Sequence, residues 1–484
     1  MSGYDVIIVG GGSAGCVLAA RLSEAGDRTV LLLEAGPDYR AADLPAHLAD
    51  GTRGADASGH DWAVPGRTGG RALRLPRGKV IGGSGAVNAA FALRGSPHDY
   101  DGWGIPGWSF ADVLPDFVAV ETDLDFGDRA WHGDGGPVPI RRYAGPELSP
   151  VAEALLGGLQ RAGLRAVPDH NAPYACGAGP TPVNCVGGRR MSTALTHLEP
   201  ARDRRGLTVR GNCAVDEVVV RNGRAVGVRI GADVVGAGEV VVSAGAYHSP
   251  ALLRRSGLRH PGIGAGLVDH PAIAVDLPYA GPPCDQPVFQ VAATLHSSLS
   301  DPATEAPDLQ LFGGGPLPTG PGTAVFFLAA ALLRPRSRGR VADEVDLGYF
   351  THPDDLPRLV EGFRLAERVA ADPAVRELSG GQVLTPRLDD ADVGAWIEAG
   401  AWTYHHPVGT CAMGVVVDPE CRVPDVAGLS VVDASVLPDI PSANTNLPTI
   451  MAAEHALRLR GDVAPAQARV TTPASRPNAA SNRV

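Results

Sequence analysis

Residues 4–34 read YDVIIVGGGSAGCVLAARLSEAGDRTVLLLE. Tyr4–Val9 is a continuous apolar, β-branched run, the mark of a strand buried on both faces of a parallel sheet. Gly10, Gly12 and Gly15 follow at once in the pattern GxGxxG, and Ala14–Ala25 has helical spacing. A second apolar run, Thr29–Leu33, ends in Glu34, 19 residues after Gly15. This is one βαβ unit with the signature of a dinucleotide site. Gly10 permits the tight turn, Gly12 lets the backbone approach a pyrophosphate, and Gly15 allows close helix–strand packing. The helix opens at Ser13 and Ala14, where free N–H groups can face phosphate. Glu34, with Ala35 beside it, can accept hydrogen bonds from both ribose hydroxyls.

Outward from this unit, 484 residues are enough for two structural units. Hydrophobic residues make up 44% and charged residues 20%, the balance of a globular chain rather than a disordered or fibrous one. The net charge is -11 and no long basic run occurs, which argues against a nucleic-acid partner. Seven cysteines, an odd number without CxxC, argue against a disulfide framework or a structural zinc site and fit a reducing compartment. No metal site is expected. No basic segment precedes Tyr4, and no stretch of about 18 apolar residues is present. The expectation is a cytoplasmic protein without a transmembrane segment, with peripheral attachment to a membrane left open.

Strands are expected at Leu207–Val209, Glu217–Val220, Ala225–Ile230 and Glu239–Ser243, with a hairpin turn at Asn222-Gly223. Helices are expected at Pro150–Ala162 and Leu356–Ala371. Residues 273–330, rich in Pro, Gly, Thr and Ser, have no legible period. The tail 463–484 is expected to be disordered.

Six further motifs stand in a fixed order: GKVIGGSGAVN at 78–88, SAGAYHSPALLRRSG at 243–257, DHP at 269–271, YHHPVGTCAMG at 404–414, VVDAS at 431–435 and PSANTNLPTIMAAE at 441–454. Together with the GxGxxG unit they resemble the glucose–methanol–choline (GMC) oxidoreductase family. The resemblance covers about residues 4–272 and 333–458.

It implies an α/β protein, α+β overall, with a Rossmann-like FAD-binding domain and an inserted substrate domain built on an antiparallel sheet with helices. The FAD-binding domain is expected to be discontinuous, from 1–120, 205–272 and 425–462, with the substrate domain from 121–204 and 273–424. Beyond Gly10, Gly12, Ser13, Ala14, Gly15, Glu34 and Ala35, it implies FAD contacts at Gly78, Val80, Gly82, Gly83, Ser84, Asn88 and Ala89. Further contacts are implied at Val215, at Ser243, Ala244 and Gly245, at Asp433 and Ala434, and at Asn446, Pro448 and Thr449. Val87 stands where covalently flavinylated members carry a histidine, so FAD is expected to be held non-covalently.

The implied activity is oxidation of an alcohol to a carbonyl by hydride transfer to the flavin. His406 aligns with the catalytic base and Asn446 with its His-or-Asn partner; His405 is read as a neighbour. A histidine suits removal of the hydroxyl proton because its ordinary pKa, about 6.5, lies near working pH. The expected partners are a small-molecule alcohol and an electron acceptor, whether oxygen, a quinone or a redox protein. Val120–Phe126 (VETDLDF) and His132–Arg142 (HGDGGPVPIRR) are similar to the mycofactocin-associated branch, which implies as an alternative a mycofactocinol-oxidising dehydrogenase feeding an electron-transfer chain. An FAD-containing lyase of the oxynitrilase type is the other alternative.

Overall fold

The computed structural model describes residues 3–463. Apart from Val463, the tail expected to be disordered lies outside the described residues.

β1 (Tyr4–Val9), α1 (Ser13–Leu22) and β2 (Val30–Leu33) form the βαβ unit. β1 pairs in parallel with β2 on one side and with residues 237–242 of the strand Asp233–Val242 on the other. Leu207–Arg210 pairs in parallel with β2, and Leu429–Val431 with the far side of 240–242. Three distant stretches of chain therefore build one parallel sheet. Ile7, Ile8, Leu31 and Leu32 are wholly buried in it, as expected for strands covered on both faces. The hairpin of Glu217–Arg221 and Arg224–Ile230 turns at Asn222 and Gly223, both at positive φ, the backbone of a tight primed turn.

Residues 273–332, which have no readable period, form the heart of a second sheet. Pro271–Pro278, Phe289–Leu295, Leu309–Gly320 and Thr323–Leu332 are antiparallel strands, edged by Gly177–Pro180 and Trp402–Thr403. The physical reason for the missing signal is that both faces are covered. Ile273, Val275 and Leu277 pack in one cluster with the helices Pro150–Arg161 and Asp355–Ala370. Ala272 and Ala274 point the other way, into a cluster with Phe91 and Phe312. Strands that are apolar on both faces show no polar alternation.

Two edges of the chain division differ from the expectation. Ala194, Leu198 and Ala201 pack into the core of the parallel sheet, as do Cys411, Met413, Val417 and Val423. Segments that return to cover a distant helix carry no local mark of the core they join.

The segment 89–94, whose Ala89 and Phe91 line a cavity of the protein, is anchored by a buried ion network. The Arg94 guanidinium is 2.7 Å from Glu121 Oε1, and His132 Nδ1 is 2.7 Å from the same oxygen. His132 Nε2 stands 3.0 Å from Asp169, and Arg142 is 2.9 Å from Asp123 and 2.7 Å from Asp169. Glu121, Asp123 and His132 come close enough to share a cation, but Arg94 and Arg142 already balance these carboxylates. Burial pulls the His132 pKa down, yet its hydrogen bonds to Asp169 and Glu121 outweigh this and raise it.

Removing one partner of a buried pair leaves the others uncompensated. Glu121→Gln is therefore expected to destabilise the fold by about 3–5 kcal/mol, read as a lower urea midpoint at unchanged slope. A folded-state pKa above the ordinary value means that the His132 contribution is complete below about pH 6.5. It is lost as pH rises through the raised value. Urea midpoints measured from pH 6 to 9 should fall in wild type, and His132→Gln should flatten that fall.

Candidate active site

A cavity of about 630 Å³ runs from the start of α1 to the inner face of the antiparallel sheet. Its floor is backbone. Gly83 adopts φ +53, and a Cβ placed on it would stand 2.7 Å from the Cα of Gly12; the two loops touch chain to chain. Gly12 is the N-cap of α1 and no side chain caps the helix, so its first N–H groups stay free.

The residues singled out in the sequence converge here. Gly10, Gly12, Ser13, Ala14, Glu34, Ala35, Gly78, Gly83, Ser84, Asn88, Ala89, Val215, Ser243, Ala244, Gly245, Asp433, Ala434, Asn446 and Thr449 line the cavity, together with His406. Gly15, Val80, Gly82 and Pro448 do not. Gly15 lies under the turn, where a Cβ would meet the Gly10 carbonyl oxygen at 1.9 Å, and Gly82 packs against Ala86. Val80 sits in a side cluster with Leu48 and Ala86, and Pro448 is buried in the first turn of the helix Asn446–Leu459.

The Glu34 carboxylate is fixed at the end of β2 by the Gly11 and Gly36 amides, each at 2.8 Å. Burial raises its pKa against those bonds. Asp433 is spent on structure: it accepts from Gly245 N at 2.8 Å, Ser249 Oγ at 2.5 Å and Ser435 N at 2.8 Å. Asn88 uses its carbonyl oxygen for Ala90 N at 2.9 Å, which leaves its NH₂ for a ligand.

His406 is buried at the other end. Asp269 holds it there: Oδ1 accepts from His406 N at 2.7 Å and from His270 N at 2.9 Å, and Oδ2 accepts from Tyr349 Oη at 3.0 Å and from Thr403 Oγ1. His405, at φ +69, makes the kink that turns the next ring into the cavity. His406 Nδ1 is 3.0 Å from His270 Nδ1. Burial above all, with a smaller contribution from the nearby His270, His405 and Arg77, holds the His406 pKa well below its ordinary range.

The residue next to His406 differs from the one expected. Asn444 Nδ2 lies 3.1 Å from His406 Nε2. Asn446 opens the following helix instead, where Ser13 Oγ donates to its Oδ1 at 2.7 Å, and no hydrogen bond joins it to His406. The segment 441–454 offers two asparagines two positions apart, and only the turn into the helix decides which of them faces the histidine.

Residues 4–272 match the N-terminal family model of the GMC oxidoreductases, and residues 335–453 match the C-terminal one. The chain belongs to the GMC oxidoreductase family. It is 35% identical to a GMC-type oxidoreductase of Rhodococcus erythropolis across 93% of this chain and 97% of that one. It is 33% identical to 5-(hydroxymethyl)furfural oxidase of Methylovorus sp. over 93% of this chain and 97% of that one. Among solved structures, pyridoxine 4-oxidase from Mesorbium loti superposes with a TM-score of 0.84 at 28% identity, covering 94% of this chain and 99% of that one.

The protein is thus an oxidoreductase of the class acting on CH–OH donors, and FAD is the cofactor of its family. The residues fit FAD: a fixed carboxylate for the ribose, an uncapped helix for the pyrophosphate, and a bare glycine floor under a flat ring. The floor supplies a test. Gly83→Ala is expected to force Gly12 and Gly83 apart, so the variant should purify folded but without bound flavin absorbance.

Proposed function

We propose that this protein oxidises an alcohol to a carbonyl, with His406 as the base and Asn444 as the residue that holds the substrate oxygen. The observation that carries the reading is the pairing of His406 Nε2 with Asn444 Nδ2 at 3.1 Å, both on the cavity wall. One substrate oxygen can touch both atoms. FAD, when bound, accepts the hydride from the carbinol carbon.

The chain's own part is proton handling. With the Asn444 amide donating, His406 Nε2 carries the lone pair, and Nδ1 carries the proton and gives it to His270 Nδ1. That hydrogen bond fixes the tautomer a base requires. His406 is kept neutral by burial and so is ready to take the hydroxyl proton. Negative charge gathering on the substrate oxygen strengthens both its bond from Asn444 and its attraction to the protonated His406 ring, and it is discharged as the hydride leaves and the carbonyl forms.

The proposed division of the chain is an FAD-binding unit from 1–120, 205–272 and 425–462 and a substrate unit from 121–204 and 273–424, amended by the packing of 194–201 and 411–423 with the first. FAD is proposed to be bound non-covalently, because Val87 on the cavity wall has no atom that can bond to it. Acid precipitation is expected to release the yellow colour to the supernatant.

Anaerobic mixing with an alcohol substrate should bleach the flavin; a flavin that stays oxidised while substrate is consumed would favour the lyase reading. His406→Ala is expected to slow flavin reduction by about 10²–10⁴-fold with FAD retained. Asn444→Ala should cost about 10²-fold. Asn446→Ala should keep the rate and lose FAD more readily. Because the His406 pKa lies below its usual value, the reduction rate is expected to be flat above about pH 6.5 and to fall only on the acid side.

A further inference from the structure

We infer that the alcohol taken by this site is uncharged and carries its CH–OH carbon on a flat aromatic ring. This rests on the reading that His406 and Asn444 receive the hydroxyl.

The substrate end of the cavity is walled by rings. Phe289, Phe312 and Phe327 come from three neighbouring strands, and Phe91, Trp402 and Tyr404 complete the wall. Phe91 and Phe289 meet edge to face at 5.3 Å, Phe289 and Phe327 at 6.0 Å, and Phe312 and Phe327 at 6.1 Å. Phe312 then stacks flat on Tyr404 at 4.3 Å, and Tyr404 lies 4.4 Å from the His406 ring. The rings form an unbroken path to the base. The alanines on the same sheet face, Ala292 and Ala329, pair directly with Phe312 and are packed behind the rings in one buried cluster. Edge-to-face and offset contacts of this kind favour a planar aromatic guest over an aliphatic one of equal area.

The charges point the same way. Among the described residues, the carboxylates that line the cavity are Glu34 and Asp433, both at the far end and both engaged by backbone amides. The other charged side chains that line the cavity among the described residues are arginines, Arg53, Arg77 and Arg255. Phenylalanine faces attract cations weakly, but a buried cation without a carboxylate is costly. A quaternary ammonium alcohol is therefore disfavoured. So is a sugar. Tyr404 Oη, His405 Nδ1 and Asn444 Oδ1 are buried polar atoms here without partners. They have almost no accessible surface, and the ring wall beside them offers the hydroxyls of a polyol no partners.

The test is anaerobic rapid mixing of the holoenzyme with 4-methoxybenzyl alcohol, hydroxymethylfurfural, 1-hexanol, choline and glucose. The two ring alcohols should reduce the flavin with kred/Kd at least about tenfold above the other three. Phe312→Ala and, separately, Phe327→Ala should shrink the ratio of 4-methoxybenzyl alcohol to 1-hexanol by about tenfold. Faster reduction by choline, glucose or hexanol would overturn the inference while leaving the base assignment intact. So would an unchanged ratio in both variants with FAD bound. If no alcohol bleaches the flavin, titration with 4-methoxytoluene separates the two claims. A perturbed flavin spectrum would keep the aromatic site and overturn hydride transfer, and an unperturbed one would overturn both.

Discussion

A single buried carboxylate fixes where His406 stands. Asp269 receives the main-chain N–H groups of His406 and His270 on one oxygen and the hydroxyls of Tyr349 and Thr403 on the other. Backbone N–H groups can only donate, so Oδ1 is committed as an acceptor to both histidines at once. The two imidazoles are thereby set side by side, which makes the Nδ1–Nδ1 contact at 3.0 Å a consequence of main-chain anchoring rather than of the rings alone. Loss of this anchor would free His406 to leave the cavity without disturbing the GxGxxG loop, since the two ends of the cavity are built by different elements.

Those two ends differ in chemistry as they differ in origin. The end beneath α1 is polar and made of main chain: a glycine floor, a helix start without a side-chain cap and one fixed carboxylate. It suits a long anionic cofactor whose every group needs a partner. The opposite end is made of side chains on the antiparallel sheet, with rings packed to rings and few polar atoms. His406 and Asn444 stand at the boundary. In the proposed reaction the carbinol carbon is held at that boundary, between a partner-rich pocket and a water-poor one.

The segments 120–126 and 132–142 have a structural occupation. Glu121, Asp123, His132 and Arg142 are members of the buried ion network that anchors 89–94. Arg94 donates to the Trp131 carbonyl and Asn171 Nδ2 donates to the Ala92 carbonyl, so the chain beside Asn88 and Phe91 is held from behind. No helix of the described residues is long and apolar enough to cross a membrane.

Much of the cofactor end was legible in the sequence because it is built from local chain. A strand, a glycine turn, a helix start and an acid 19 residues on fix backbone geometry over a short span, and the physics of phosphate binding acts on backbone N–H groups that any reader of the pattern can place. The substrate end was not legible, for two reasons. The strands of 271–332 are apolar on both faces, so period and polarity carry no information about which side faces the cavity. The partner of His406 is set by the turn into a helix, where a shift of two residues exchanges Asn446 for Asn444 without changing composition. Sequence alone determined the family, and it brought forward the glycine loop and His406. Tertiary structure alone decided which asparagine meets that histidine and which rings wall the cavity, because both depend on how segments more than 30 residues apart are pressed together.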